Sequence, residues 1–214
     1  MKKINEKGQF QPFKGYSCAC MVDVKESMKH IELMIKNSSL NKVFSALPYN
    51  SYHMTIYTIY ICNGYKLPFF PEHCILEQNK WLPNDILTKQ NTETINFLNK
   101  NGVSLTIQDV TPYWSEKYLG FLVTLNVEDN NLVKNWKYKL SLIYRHLDKV
   151  KLHITLAHSY SFSFKTKQMK EDYNTLCKMI KKEFIGKTLL KPSVYRFDNV
   201  TNFLDINTMF TSFG

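Results

Sequence analysis

The sequence predicts an α+β fold in which two similar lobes share one cleft. Three observations carry this reading. Strand-like and helix-like segments run in nearly the same order twice along the chain. Each half holds one strand of the pattern apolar, His, apolar, Thr, apolar: Tyr52-His53-Met54-Thr55-Ile56 and Leu152-His153-Ile154-Thr155-Leu156. No linker-like composition separates the halves, so residues 1–214 read as a single two-lobed domain.

The elements follow in order. Residues 1–15 are polar and irregular, ending in Pro12-Phe13-Lys14-Gly15. Tyr16 to Val24 reads as a strand, and Lys25 to Asn37 as a helix with Ile31, Met34 and Ile35 in its apolar stripe. Val43 to Leu47 is a short strand, and Pro48-Tyr49-Asn50 turns the chain into the first His/Thr strand, Tyr52 to Cys62. Residues 63–82, rich in proline and aromatics, form the longest irregular segment. Asn84 to Lys100 reads as a helix stopped by Asn101-Gly102. Val103 to Val110 and Tyr118 to Val127 look like a strand pair, and Asp129 to Leu147 like a helix behind an Asp/Asn cap. Lys149 to His158 is the second His/Thr strand and Lys165 to Glu183 another helix. Leu189 to Phe197 and Asn202 to Asp205 close the chain as strands.

Side chains alternate across a strand, so His53 and Thr55 share one face while Tyr52, Met54 and Ile56 share the other. His153 and Thr155 oppose Leu152, Ile154 and Leu156 in the same way. The apolar faces pack a core, which leaves both His/Thr faces to look outward or into a cleft. One such strand ordinarily means nothing more than a hydrogen-bonded histidine. Two of them suggest facing imidazoles, able to act as acid and base near neutral pH. Alternation continues the two polar faces through Tyr57 and Ala157, with Ser51 and Lys151 preceding the histidines. Tyr57 is a candidate to stack on a base, Lys151 to meet phosphate, and Tyr160, Tyr113 and Trp114 to line the groove. A packed tyrosine and a solvated strand-end lysine are the plainer readings.

Composition narrows the function classes. Apolar residues make up 44% of the 214, enough for a proper core. Only 7 glycines occur, and neither G-x-G-x-x-G nor G-x-x-x-x-G-K-[ST] is present. Any phosphate must therefore be held by side chains and strand-borne donors. A formal charge of +10 favours anionic partners such as nucleotides or RNA, although the lysines are spread out. The denser runs lie at Lys165-Thr166-Lys167 with Lys170 and at Lys178 to Lys182, the latter a solvated helix face. Five cysteines, Cys18, Cys20, Cys62, Cys74 and Cys177, read as free thiols of a reducing compartment. No apolar leader or membrane-length run occurs, so the expectation is a soluble, cytoplasmic monomer. No metal set is expected. His153 and His158 are five apart, which alternation sends to opposite faces, and Cys18 and Cys20 lack a second pair. His73-Cys74 reads as loop, and His30 and His146 as surface residues at helices.

At His53-Met54-Thr55 and His153-Ile154-Thr155 the chain resembles the 2H phosphoesterase superfamily, the LigT-like or cyclic phosphodiesterase fold. Pro12-Phe13-Lys14-Gly15, the run Leu47-Pro48-Tyr49-Asn50-Ser51-Tyr52 before the first motif, and Tyr195-Arg196-Phe197-Asp198-Asn199-Val200 resemble the DUF1868 branch of it. The resemblance implies two antiparallel sheets facing across a central cleft with helices outside. It implies a metal-independent, cofactor-free attack on a phosphodiester: a cyclic nucleotide, a 2′,5′-linked oligonucleotide or an RNA end. His53 and His153 would be acid and base, in an order the residues leave open, and the Thr55 and Thr155 hydroxyls would meet the non-bridging oxygens. The rate is expected to be bell-shaped in pH around the imidazole value of about 6.5. Two other readings stand beside it: a nucleotide- or RNA-binding module with the same groove and little turnover, and a basic RNA-binding protein whose His/Thr strands are incidental.

Overall fold

The computed structural model describes residues 3–61, 84–161 and 166–206. The proline- and aromatic-rich stretch at 63–82, with Cys62, His73 and Cys74, lies outside the described residues, as does Lys165.

The elements run β1 (Gly15–Met21), α1 (Lys29–Asn37), β2 (Phe44–Ala46), β3 (His53–Ile61), α2 (Asn84–Asn101), β4 (Leu105–Trp114), β5 (Tyr118–Leu125), α3 (Val127–Tyr144), β6 (His153–Ser159), α4 (Lys167–Phe184), β7 (Thr188–Leu189), β8 (Ser193–Asn199) and β9 (Asn202–Asp205). The α+β reading holds. Helix starts follow capping chemistry: Asn126 accepts from the Asp129 N–H to open α3, and Thr166 from the Met169 N–H to open α4. The strand read over Leu189 to Phe197 is broken into β7 and β8 by Pro192, which has no N–H for a ladder. Each helix buries residues three and four apart, such as Val133, Trp136, Leu140 and Tyr144 on α3 and Met169, Leu176, Ile180 and Phe184 on α4.

The two expected sheets are one. Among the described residues all pairings are antiparallel, and the strands follow the order β7-β4-β5-β6-β3-β1-β8-β9, with β2 also on β6. The halves meet at β3 and β6, the two His/Thr strands, through the single pair Met54 and Ile154. An open edge leaves backbone N–H and C=O groups unpaired, and joining the halves removes two such edges. β2 covers the next part of β6, from Ala157 to Ser159. Met54 and Ile154 are fully buried at the seam. His53, Thr55, His153 and Thr155 flank that pair, so all four sit on the other face of the sheet, which lines one groove.

Candidate active site

The four residues of the repeated motif converge. His53 and Thr55 from β3, with His153 and Thr155 from β6, line one cavity of about 120 Å³. Both histidines are held in the same way. His53 Nδ1 is 2.8 Å from the Ser51 carbonyl, and His153 Nδ1 is 2.7 Å from the Lys151 carbonyl. A carbonyl can only accept, so Nδ1 carries the proton and Nε2 is the reactive nitrogen of each neutral ring. The His53 ring rests on Phe203 with centroids 4.1 Å apart, and the His153 ring stacks on Tyr118 at 6.0 Å.

Burial holds the half-buried His53 imidazole down at about 4, with Lys3 and His153 adding to the effect against the opposing Ser51 hydrogen bond. His53 is therefore neutral at pH 7. His153 is more open to solvent. Tyr113, from β4, packs against Tyr118 at 5.4 Å, and its phenol interacts with the Tyr118 and Thr155 hydroxyls. Burial, more than the Tyr118 interaction, keeps that phenol protonated.

Strict alternation fails one residue beyond each threonine, and it fails identically. On β3, Thr55 faces Ala19 and Tyr57 faces Cys18, so Ile56 is an extra, bulged residue. On β6, Thr155 faces Gly120 and Ala157 faces Leu119, so Leu156 is bulged. Each bulge turns the following residue away from the groove and brings the next one back. Tyr57 thus leaves the site: it is 0% exposed, its hydroxyl donates to the His146 carbonyl at 2.6 Å, and its ring packs on Tyr144 and His146. Ala157 is buried as well. Thr58 and His158 take their places in the cavity. Sequence alternation placed His158 opposite His153, and the bulge at Leu156 reverses that.

His146 is not a plain surface residue. Its Nε2 donates to the Thr58 carbonyl at 3.0 Å, and the Asp148 carboxylate accepts from the Thr58 N–H. The loop after α3 thereby fixes both backbone groups of Thr58, the residue that the bulge brings back to the groove.

Two other expected site residues lie elsewhere. Lys151 gives its carbonyl to His153, but its side chain is exposed and does not line the cavity. Tyr160 donates to the Asn41 carbonyl and lines a separate shallow depression beside Gly8 and Phe44, because its N–H is drawn to the Val43 carbonyl.

The residues that alternation missed are His158, Thr58, Lys3 and Ser17, all lining the cavity. His158 is 6% exposed and held down to about 3, mainly by burial and then by Lys3, His53 and His153. A signal for the first two was present: both motifs carry a polar residue at the third position after threonine, where strict alternation demands the core face. Cys18 and Cys20 face the core, where burial raises both thiols far above their usual range, and both are free. Among the described residues no three His, Cys, Asp or Glu side chains converge as a metal-binding group. Among the same residues no helix is long and apolar enough to cross a membrane.

The family model for "2H-phosphodiest: Domain of unknown function (DUF1868)" matches residues 3–115. The chain belongs to this family. As a DUF1868 chain it falls in the 2H phosphoesterase superfamily, as its two motifs suggested. Uncharacterized protein 127L of Invertebrate iridescent virus 6 is 32% identical over 227 residues, covering 98% of this DUF1868 chain and 96% of that protein. Among solved structures, the conserved protein of unknown function ATU0111 from Agrobacterium tumefaciens str. C58 superposes with a TM-score of 0.67 at 16% identity, covering 95% of this chain and 88% of that one. A structure titled phosphoesterase superposes at 0.54 with 9% identity, covering 91% and 95%. These two likenesses concern the fold.

Proposed function

We propose that the protein is a metal-independent phosphodiesterase that cleaves a nucleotide-type phosphodiester: a cyclic nucleotide, a 2′,5′-linked oligonucleotide or an RNA end. The observation that carries the reading is the convergence of two imidazoles, each anchored through Nδ1 to the carbonyl two residues upstream, with two threonine hydroxyls on one small cavity. Family membership agrees with phosphoester chemistry.

In this mechanism His53 is the general base. Burial keeps it neutral, so its Nε2 lone pair takes a proton from the attacking hydroxyl or water. His153, across the seam and more open to solvent, donates a proton from Nε2 to the leaving oxygen. The Thr55 and Thr155 hydroxyls donate to the non-bridging oxygens as charge builds on them. A cavity of about 120 Å³ takes the phosphate group, while the rest of the substrate extends along the open groove.

The test is a screen of cyclic mononucleotides, cyclic dinucleotides, 2′,5′-oligoadenylates and RNA ends, with EDTA present throughout. The expected result is turnover that falls about a hundredfold or more in both His53→Ala and His153→Ala. Wild-type rates in both variants on the cleaved substrate would reject the mechanism. Tight binding with no cleavage of any compound would point to the binding module instead.

A further inference from the structure

The cavity carries a cation, Lys3, beyond the acid–base pair. Its lining includes the Lys3 ammonium and His158 beside His53 and His153, and no Asp or Glu among the described residues. Residues 3–11 form a hairpin that fixes Lys3 in place. Ile4 bridges Phe10, the Gln11 N–H donates to the Lys3 carbonyl at 2.9 Å, and the Asn5 N–H donates to the Gln9 carbonyl at 2.9 Å. The hairpin is docked on the groove: the Ser45 hydroxyl donates to the Gly8 carbonyl at 2.6 Å, and Phe10 meets His158 edge-on at 6.5 Å. The Lys3 ammonium sits 4.6 Å above the centre of the Phe13 ring, and no carboxylate pairs with it among the described residues.

A second observation comes from another strand. Ser17 on β1 is 4% exposed, lines the same cavity, and among the described residues its Oγ has no hydrogen-bond partner. A buried hydroxyl without a partner is unfavourable, and such a group at a cavity wall is suited to a ligand atom.

Resting on the phosphodiesterase reading, we propose that Lys3 and Ser17 complete the phosphate site: Lys3 is the cation that binds the non-bridging oxygens, and Ser17 is a further hydroxyl donor beside Thr55 and Thr155. The sequence holds neither Gly-rich phosphate-loop motif, and the described lining of the cavity offers side chains for both charge and donors. Burial holds Lys3 down to about 8, still mostly cationic at pH 7, and Lys3 in turn disfavours protonation of His53 and His158. Four cationic or potentially cationic groups, Lys3, His53, His153 and His158, face one another there. Lys3 raises the cost of a proton on His53 and His158, and a bound anion lowers it.

The proposal is tested by titrating inorganic phosphate into the protein while following the histidine C–H resonances by NMR. The proteins are the wild type, Lys3→Met, Lys3→Arg and Ser17→Ala, with melting temperatures recorded to confirm folding. Lys3→Met is expected to weaken phosphate about tenfold or more, Lys3→Arg to retain most of the affinity, and Ser17→Ala to lose about three- to tenfold. Equal phosphate affinity in the wild type and both Lys3→Met and Ser17→Ala overturns the proposal. So does tighter binding by Lys3→Met, which would make the ammonium a plug, and so does the absence of any phosphate-dependent shift in the wild type. Failure of the two readings is separable. Lys3-dependent phosphate binding without cleavage of any diester sinks the hydrolase and keeps the site. Turnover with unchanged KM in Lys3→Met and Ser17→Ala does the reverse.

Discussion

Acidification will destabilise this protein through the imidazoles of its groove. His158 titrates at about 3 and His53 at about 4, in each case chiefly because burial penalises the cation. An unfolded histidine titrates near 6.5. Above that value both states are neutral and the histidines do not affect stability. Below it the unfolded chain binds protons that the native state refuses, so stability falls as pH drops toward the folded values. The slope is about 1.4 kcal/mol per pH unit for each histidine. Between about pH 7.5 and pH 5, His158 costs about 2 kcal/mol and His53, which is partly open to solvent, about 1 kcal/mol. A loss of about 3 kcal/mol is large against a typical total of about 5–15 kcal/mol. Urea unfolding midpoints across that range, for wild type and His158→Gln, measure it. Glu26 and Asp172, whose carboxyls are held low by hydrogen bonds from Lys29 and from Ser39, lose stability in the same direction, but in both proteins alike. The difference between the two curves therefore reports His158 together with its coupling to Lys3, His53 and His153. Parallel curves would refute the argument, because a His158 that charges freely cannot be buried as a neutral ring.

Four further outcomes are expected. Activity persists in EDTA, and a rate that collapses there and returns with Zn²⁺ or Mn²⁺ would count against the mechanism. Thr55→Ala and Thr155→Ala each lower kcat less than the histidine variants do, because each removes one hydrogen bond to developing charge; a pair of silent threonines would contradict the site. Tyr57→Phe takes a donor from the His146 carbonyl, costs about 1–2 kcal/mol in thermal unfolding, and leaves KM unchanged. The acid limb of kcat/KM lies below the 6.5 of free imidazole, toward the value of about 4 to which burial lowers His53, and belongs to the coupled set of Lys3 and the three histidines; a limb at or above 6.5 would show that His53 is not held neutral by burial.

Much of the fold was legible because its signals are local. The apolar spacing of Ile31, Met34 and Ile35 marks a helix in any context, whereas the helix read over Lys165 to Glu183 starts behind a Thr166 cap that the reading placed inside it. The seam between β3 and β6 was not legible. It rests on one residue pair, Met54 with Ile154, a hundred positions apart, and nothing in either strand names its partner. Lys3 was equally hidden. A lysine near the start of a chain looks like any solvated lysine until the Ile4–Phe10 bridge and the Ser45 contact carry it over Phe13.

Tyr57, Ala157 and His158 were misread for one shared cause, and it says how the groove is built. His53, Thr55, His153 and Thr155 precede the bulges, so period-two reasoning held for all four. Tyr57, Ala157 and His158 follow them, and the same reasoning inverted each. The bulges need support from outside the strands. On β3 it comes from His146 and Asp148 at Thr58; on β5, opposite the second bulge, it comes from Gly120. A Cβ at Gly120 would lie 2.3 Å from the Ile154 carbonyl oxygen and 3.2 Å from the Thr155 Cα, so only glycine lets β5 approach β6 this closely. Gly120→Ala must push the strands apart at the residue that carries the second hydroxyl. It should cost about 1–3 kcal/mol in stability and lower turnover together with it. Retained stability with full activity would mean that the close approach at the second bulge does not hold Thr155 in place.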